Sequence, residues 1–163
     1  MNGYLLDTNV ISEFSKKRPG EQLRKWVDSQ DEVNLFLSVL TFGEIRKGIT
    51  LLPDAEKRTE LEKWLETELS ARFKGRLVPV TGKIAEIGGS MAAKAQMRGI
   101  TLGVIDGLLA ATAADHDLTV ATRNVPDFRR LQCSNNQPLG LLAGPLNSLR
   151  FTNPHAGNGS DSM

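Results

Sequence analysis

Oxygen-bearing side chains follow short apolar segments, or open a helical one, at four places in the sequence. These are Asp7, Glu44, Asp106, and the pair Asn124 and Asp127. Because the carboxyl ends of parallel strands meet at one edge of a sheet, we expect these side chains to lie close together. Crowded carboxylates repel one another unless a cation neutralises them. Mg²⁺, or Mn²⁺ in its place, prefers oxygen ligands and can activate water for attack on a phosphodiester. The favoured interpretation is a hydrolytic metal site, with Asp7 and Asp106 as metal ligands.

Each acidic position also has a purely structural interpretation. Asp7 precedes a predicted helix and is a good N-cap residue. Thr41 and Glu44 have the spacing of a capping box, in which the glutamate bonds back to the N-cap amide. Asp106 could cap a helix that starts at Gly107, but it stands in an otherwise apolar stretch, where a lone carboxylate is costly to bury. The fourth place fits a turn equally well.

Short apolar runs alternate with longer amphipathic ones, which is the pattern of an α/β fold. The predicted strands are Tyr4–Leu6, Leu35–Val39, Leu77–Val80 and Leu118–Ala121. The predicted helices span about residues 9–16, 20–30, 41–52, 54–74, 83–98 and 104–115. The helix from residue 54 is the clearest, because its apolar residues recur at every fourth position, at Leu61, Leu65, Leu69 and Phe73.

Length and composition limit the possible architectures. The chain has 163 residues, which suits one domain, placed here at residues 1–132. Residues 133–154 form an irregular segment that can contribute a last strand, and residues 155–163 are expected to be a flexible tail. The net charge of +1 makes no case for nucleic acid or membrane by itself. The single cysteine excludes an internal disulfide, and together with the absence of a signal-peptide pattern it favours a cytoplasmic location.

Four blocks of the sequence resemble, in the same order, those of PIN-domain nucleases, and especially the VapC/FitB-like toxins of type II toxin–antitoxin systems. The blocks are Leu5–Ser12, Leu37–Gly48, Asp106–Ala113 and Val120–Phe128. The resemblance covers about residues 3–130, and several blocks in order are far more specific than one short motif. It implies a three-layer α/β/α sandwich around a short, mostly parallel sheet.

The resemblance also implies a divalent-metal site with Asp7, Glu44 and Asp106 as its acidic core. Family members carry an Asp either at the position of Asn124 or three residues later, where this chain has Asp127. Both residues therefore stand as candidates for the fourth catalytic position. The family ends in a short strand before Asn-Pro and an aromatic residue, and the segment from Arg150 to His155 is similar to that ending.

The function implied by the resemblance is that of an Mg²⁺-dependent endoribonuclease toxin that is restrained by a cognate antitoxin and forms a homodimer. A catalytically silent PIN-like module that binds RNA or a partner is the alternative. A phosphatase of the haloacid dehalogenase type is disfavoured, because that chemistry needs a second Asp where this chain has Asn9.

Basic and apolar side chains supply candidate binding surfaces. The basic residues near the predicted site could hold phosphates, although a solvated surface explains most such side chains. They are Lys16, Lys17, Arg18, Arg46, Lys47, Arg123, Arg129 and Arg130. Apolar side chains that we expect to be exposed and to contact a partner in the homodimer or its antitoxin complex, with packing in the chain's own core as the alternative, are Ile49, Leu51, Leu52 and Trp64.

Overall fold

A five-stranded sheet lies at the centre of the computed structural model, which describes residues 3–124 and 147–150. Its strands are β1 (Gly3–Leu6), β2 (Leu35–Ser38), β3 (Leu77–Val78), β4 (Leu118–Thr122) and β5 (Asn147–Arg150), in the order β3-β2-β1-β4-β5. The first four run parallel, and β5 pairs antiparallel with β4. The predicted α/β sandwich with a short, mostly parallel sheet is confirmed.

Helices cover both faces of the sheet. They are α1 (Thr8–Phe14), α2 (Glu21–Asp28), α3 (Val39–Thr50), α4 (Ala55–Lys63), α5 (Ser70–Arg72), α6 (Gly82–Met97) and α7 (Val104–Asp115). A π-helical segment, Trp64–Leu69, joins α4 to α5, and a short 3₁₀ helix, Glu32–Asn34, precedes β2. None of the helices among the described residues is both long and apolar enough to cross a bilayer.

Two hydrophobic clusters lie on opposite faces of the sheet, and the alternation of strand side chains assigns residues to each. Leu5 and Val120 pack with α6 and α7 on one face. Leu6 and Ala121 pack with α1, α2, α3 and the π-helical segment on the other. All four of these strand residues are at most 2% exposed, so the two central strands are covered on both sides.

The register of the central strands brings their carboxyl ends level. Leu6 lies opposite Ala121, and the Asp7 N–H extends the ladder by donating to the Ala121 carbonyl at 3.0 Å. The chain then turns directly into α1. Residues that follow β1 and β4 therefore lie side by side at one rim of the sheet.

The observed starts of α3, two residues before its predicted start, and of α7, at its predicted start, decide how two acidic residues are placed. Helix α3 begins at Val39, because the Ser38 hydroxyl accepts from the Leu40 N–H and caps it. The capping box at Thr41 and Glu44 is therefore absent, and the Thr41 hydroxyl instead donates to the Leu6 carbonyl at 3.4 Å. Helix α7 begins at Val104 with Gly103 as N-cap, so Asp106 lies in the first turn and does not cap a helix that starts at Gly107.

The long amphipathic helix predicted over 54–74 forms with one irregularity. Its middle winds as a π-helix, in which the Ser70 N–H bonds to the Leu65 carbonyl five residues back. The buried residues Leu65, Leu69 and Phe73 still face the core as their spacing predicts. Strand β5 falls within the segment 133–154, at its Asn147–Arg150 portion.

Candidate active site

An acidic cleft opens at the rim where β1 and β4 end. Its volume is about 490 Å³, and its lining consists of Asp7, Thr8, Asn9, Ser12, Glu13, Lys16, Glu44, Asp106, Arg123 and Asn124. The structure thus brings four of the five site residues singled out in the sequence into one cleft. The fifth, Asp127, lies outside the described residues.

Asp7 is both a helix cap and a buried carboxylate. Its Oδ1 accepts from the Thr8 N–H at 2.7 Å, and its Oδ2 accepts from Asn9 Nδ2 and from the Thr122 hydroxyl, both at 2.7 Å. Only 7% of Asp7 is exposed. Burial raises the pKa of the Asp7 carboxyl above its ordinary value, the Thr122 and Thr8 hydrogen bonds oppose the rise, and the negative charge of Glu44 adds to it.

Glu44 reaches the cleft from the second turn of α3. Its Oε2 accepts from the Thr8 hydroxyl at 2.5 Å, which ties α3 to the start of α1. The negative charge of Glu44 disfavours the ionised form of Asp7 across the cleft and so raises the pKa of Asp7. A cation placed between them would lower that repulsion.

Asp106 enters the cleft from the opposite layer. It is half-buried in the first turn of α7, where the helix dipole favours a carboxylate. A side chain at Gly103 would place its Cβ 3.0 Å from Asp106 Oδ2, so the N-cap glycine leaves room for this carboxylate. Beyond Gly107 the helix is almost wholly buried, which fixes the direction in which its first turn points.

Asn124 lines the cleft two residues beyond β4. It is exposed, and its backbone N–H donates to the Thr122 hydroxyl at 2.9 Å. The hydroxyl of Thr122 therefore orients both Asp7 and the chain at Asn124. This role for Thr122 was not predicted, although its position at a strand end beside Asn124 was a usable signal.

Asn9 and Glu13 are two further cleft residues that the sequence interpretation missed. Asn9 donates to Asp7 and to the Thr122 hydroxyl, and its Oδ1 accepts from the Arg123 N–H at 2.9 Å. Its place two residues after Asp7 was noted only as an argument against a phosphatase. Glu13 carries no motif signal, because it stands in the middle of an ordinary amphipathic helix.

The donor set of the cleft fits a hard divalent cation. It offers carboxylate, amide and hydroxyl oxygens, and Asp7 has a raised pKa that a cation would counteract. No three carboxylate, histidine or cysteine side chains of the described part of the chain converge closely enough to hold an ion on their own. Mg²⁺ commonly binds through one or two carboxylates and keeps several waters. The cleft therefore suits Mg²⁺ better than an ion whose ligands all come from the protein.

Comparison with known proteins decides the family. A model described as the PIN domain matches residues 4–132. The chain belongs to the PIN domain family. The resemblance inferred from the four sequence blocks is thereby confirmed, and the matched span ends where the composition of the chain changes.

Relatives of this PIN domain include named toxins. The chain is 39% identical over 124 residues to Toxin FitB from Neisseria gonorrhoeae, and 36% identical over the same length to VapC ribonuclease Y4jK from Sinorhizobium fredii. Each alignment covers 76% of this chain and 89% of the relative. The crystal structure of FitAcB from Neisseria gonorrhoeae superposes with a TM-score of 0.74 at 37% identity, covering 79% of this chain and 93% of that one.

The basic residues predicted to hold phosphates separate into groups. Lys16 and Arg123 line the acidic cleft, whereas Arg46 forms an ion pair with Glu66 at 2.7 Å. Lys17 lines a neighbouring groove. Residues 129 and 130 lie outside the described part of the chain.

That neighbouring groove, called here the helix groove, lies between α1, α3 and α4 and measures about 820 Å³. It shares Thr8, Ser12, Lys16 and Glu44 with the acidic cleft, so the two are continuous. Its remaining lining is Ser15, Lys17, Ile45, Gly48, Ile49, Leu52, Asp54, Glu56, Lys57, Glu60, Leu61 and Trp64.

Of the four apolar residues that we expected to be exposed for partner contact, one is buried. Ile49 is only 4% exposed, because it packs into the hydrophobic cluster beneath the groove, and the prediction that it is exposed is wrong. Leu51 is 72% exposed, while Leu52 and Trp64 are half-buried along the groove wall.

Proposed function

We propose that this PIN domain is an Mg²⁺-dependent endoribonuclease toxin. The observation that carries the proposal is the convergence of Asp7, Glu44 and Asp106, from three different elements, on one cleft. The relative named VapC ribonuclease supports RNA as the substrate class, and the relative named Toxin FitB supports the biological role.

In this proposal Asp7 and Asp106 hold the metal and Glu44 completes the acidic core. A bound Mg²⁺ supplies an activated water and positive charge beside the phosphodiester. Thr8 orients Glu44, while Asn9 and Thr122 fix Asp7 through hydrogen bonds to its Oδ2. These bonds leave the carboxylates pre-oriented, which lowers the cost of assembling the site when the ion and RNA arrive.

Incubation of the purified protein with total RNA, followed by mapping of new 5′ ends, tests the activity. Cleavage is expected with Mg²⁺ or Mn²⁺ and is expected to stop in EDTA. Cleavage that persists in EDTA would contradict the metal role. RNA binding without cleavage under any metal would favour the silent binding module instead.

We further propose that a cognate antitoxin occupies the helix groove and extends into the acidic cleft. Three observations support this: the groove has apolar side chains at Leu52, Leu61 and Trp64, its volume is about 820 Å³, and Glu44 of the cleft also lines it. A basic antitoxin side chain that reached the cleft would form strong charge-assisted bonds with the carboxylates. A homodimeric state and action in the cytoplasm complete the proposal, the latter supported by the single cysteine of the sequence.

A further inference from the structure

Glu13 binds three hydrogen-bond donors inside the acidic cleft, yet the proposed reaction does not use it. Its Oε1 accepts from the Gly20 N–H at 3.1 Å. Its Oε2 lies 2.5 Å from Lys16 Nζ and 3.1 Å from Arg123 Nη1. One carboxylate in the last turn of α1 thus joins the segment after α1, the loop before α2 and the residue that follows β4.

In this cluster the carboxylate of Glu13 is largely buried, whereas its two cationic partners are exposed to solvent. The Glu13 side chain is 12% exposed, whereas those of Lys16 and Arg123 are 60% and 56% exposed. The carboxylate is therefore covered by two cations that remain open to solvent in the cleft. A solvent-exposed ion pair contributes little to stability, so stability alone gives a weak reason for this arrangement.

The balance of charges along the cleft lining gives Lys16 and Arg123 a role in attracting a nucleic acid. Among the residues that the structure describes, the cleft is lined by four carboxylates and two cations, Lys16 and Arg123; the carboxylates are Asp7, Glu13, Glu44 and Asp106. An RNA backbone is repelled by the carboxylates, so these two side chains are the attractive part of the lining. Contacts to phosphates also fix the register of a nucleic acid without reading its bases.

The position of Arg123 relative to Asp7 is fixed as well. The Arg123 N–H donates to Asn9 Oδ1, and Asn9 Nδ2 donates to Asp7 Oδ2. These bonds fix the Arg123 backbone beside Asp7, and the Glu13 carboxylate holds the Arg123 guanidinium, so a phosphate bound by Arg123 would lie near the carboxylate proposed to bind the metal.

We propose that Glu13 is a positioning residue that holds Lys16 and Arg123 as a phosphate-binding pair for the backbone of single-stranded RNA beside the reacting phosphodiester. This inference rests on the proposed nuclease function and extends it to the substrate. It assigns recognition of the backbone to the residues just after α1 and β4, and leaves the metal to the acidic residues.

Binding in the absence of divalent metal tests the pair directly. The full chain in EDTA is titrated into a short, fluorescein-labelled single-stranded RNA at a series of KCl concentrations, and affinity is measured by fluorescence anisotropy. Each phosphate neutralised on a single strand contributes about 0.7 to the slope of log affinity against log salt. Lys16→Gln and Arg123→Gln are each expected to reduce the slope by about 0.7.

Lys25→Gln is the matched control, because Lys25 is exposed, pairs with Glu21 at 2.7 Å and is not part of the cleft lining. Its slope is expected to equal that of the wild type. Slopes unchanged in both cleft variants, or reduced equally in the control, would overturn the inference.

Glu13→Gln separates positioning from charge. If the carboxylate only weakened the local positive potential, its removal would tighten RNA binding and leave turnover intact, which would overturn the positioning role. We expect affinity in EDTA to be kept or raised while kcat at saturating RNA and Mg²⁺ falls about tenfold, the usual effect of losing a supporting hydrogen-bond partner. Thermal unfolding of each variant verifies that the fold is retained.

The two proposals fail in different ways. A wild-type chain that cleaves no RNA but shows the expected salt slopes would refute the nuclease and keep the phosphate-binding pair. Cleavage by the wild type together with unchanged slopes in Lys16→Gln and Arg123→Gln would refute the pair alone.

Discussion

At the scale of single residues, Asp7 serves two purposes that the sequence presented as alternatives. It caps α1 through the Thr8 N–H, and it presents a buried carboxylate to the cleft. A residue type favoured at N-caps is also a metal ligand, so the pattern could not separate the two roles. What the pattern lacked was the partner, because Thr122 is 115 residues away in sequence.

Asp7→Asn is expected to reduce RNA cleavage by more than about a hundredfold, because loss of a mere outer partner of a metal ligand already costs 10–100-fold. The fold should persist, since asparagine is an equally good N-cap. Rates at saturating Mg²⁺ are compared with those of Asp54→Asn, a matched change at the N-cap of α4. Wild-type rates in Asp7→Asn would contradict the assignment of Asp7 to the metal.

The raised pKa of Asp7 gives the metal-free protein a defined pH dependence. The folded state holds this proton more tightly than the unfolded state, so this group's contribution to stability is fully present below the unfolded value of 3.8. That contribution is lost as pH rises through the folded pKa. Thermal unfolding in EDTA should therefore show wild type losing stability relative to Asp7→Asn as pH rises from about 4 to neutrality. A difference that does not vary with pH would refute this.

The fourth catalytic position remains a choice between Asn124 and Asp127. We favour Asn124 as the inner position, because it lines the cleft and is tied to Thr122. Asn124→Asp should keep or raise Mg²⁺ affinity by adding a negative charge, whereas Asn124→Ala should slow cleavage more than Asp127→Asn does. Mg²⁺ titrations of cleavage rate measure all three. A larger effect at Asp127 would reverse the assignment, and no effect at either would remove this loop from the reaction.

At the scale of elements, the predicted helices start within one residue of the observed ones except at α3. Hydrophobic period identifies α3, but its first turn depends on a cap that several residues could supply. Ser38 lies in β2, as predicted, but its side chain also caps α3, so the helix begins at Val39, two residues before its predicted start. The π-helical turn also escaped prediction, because spacing by four does not distinguish it from a regular helix.

Two glycine substitutions test how tightly individual elements are packed. Ala at Gly3 would place its Cβ 2.6 Å from Leu118 and 2.9 Å from Phe36, so Gly3→Ala should destabilise the protein by about 1–3 kcal/mol. Gly43 in α3 has nothing within 4 Å of such a Cβ, so Gly43→Ala should stabilise by about 0.5–1 kcal/mol through helix propensity. Urea unfolding at equilibrium measures the free energy of unfolding of both variants. Equal effects would show that the close packing of Leu118 and Phe36 against Gly3 does not exclude a larger side chain.

At the scale of the whole molecule, the helix groove and the acidic cleft form one continuous surface. The purified chain is expected to sediment at twice its mass of 17.8 kDa, and to recover a small basic partner from the native cell. Leu61→Glu should weaken recovery of that partner by placing a charge on the groove wall, while Val33→Glu, at an exposed site away from the groove, should not. A stable monomer at high concentration that captures no partner would contradict both assembly proposals.

The order of the strands also affects when the site can form during synthesis. Strand β1 and α1 leave the ribosome early, but β1 lies between β2 and β4, and β4 ends at Thr122. Until β4 has been made, Asp7 has no Thr122 hydroxyl to orient it, and Asp106 has no finished layer beneath it. A nascent chain that ends before β4 therefore contains Asp7, Glu44 and Asp106 but cannot yet assemble the acidic cleft. Under the proposed ribonuclease function, the messenger RNA being translated is not exposed to cleavage by its own product until β4 has emerged.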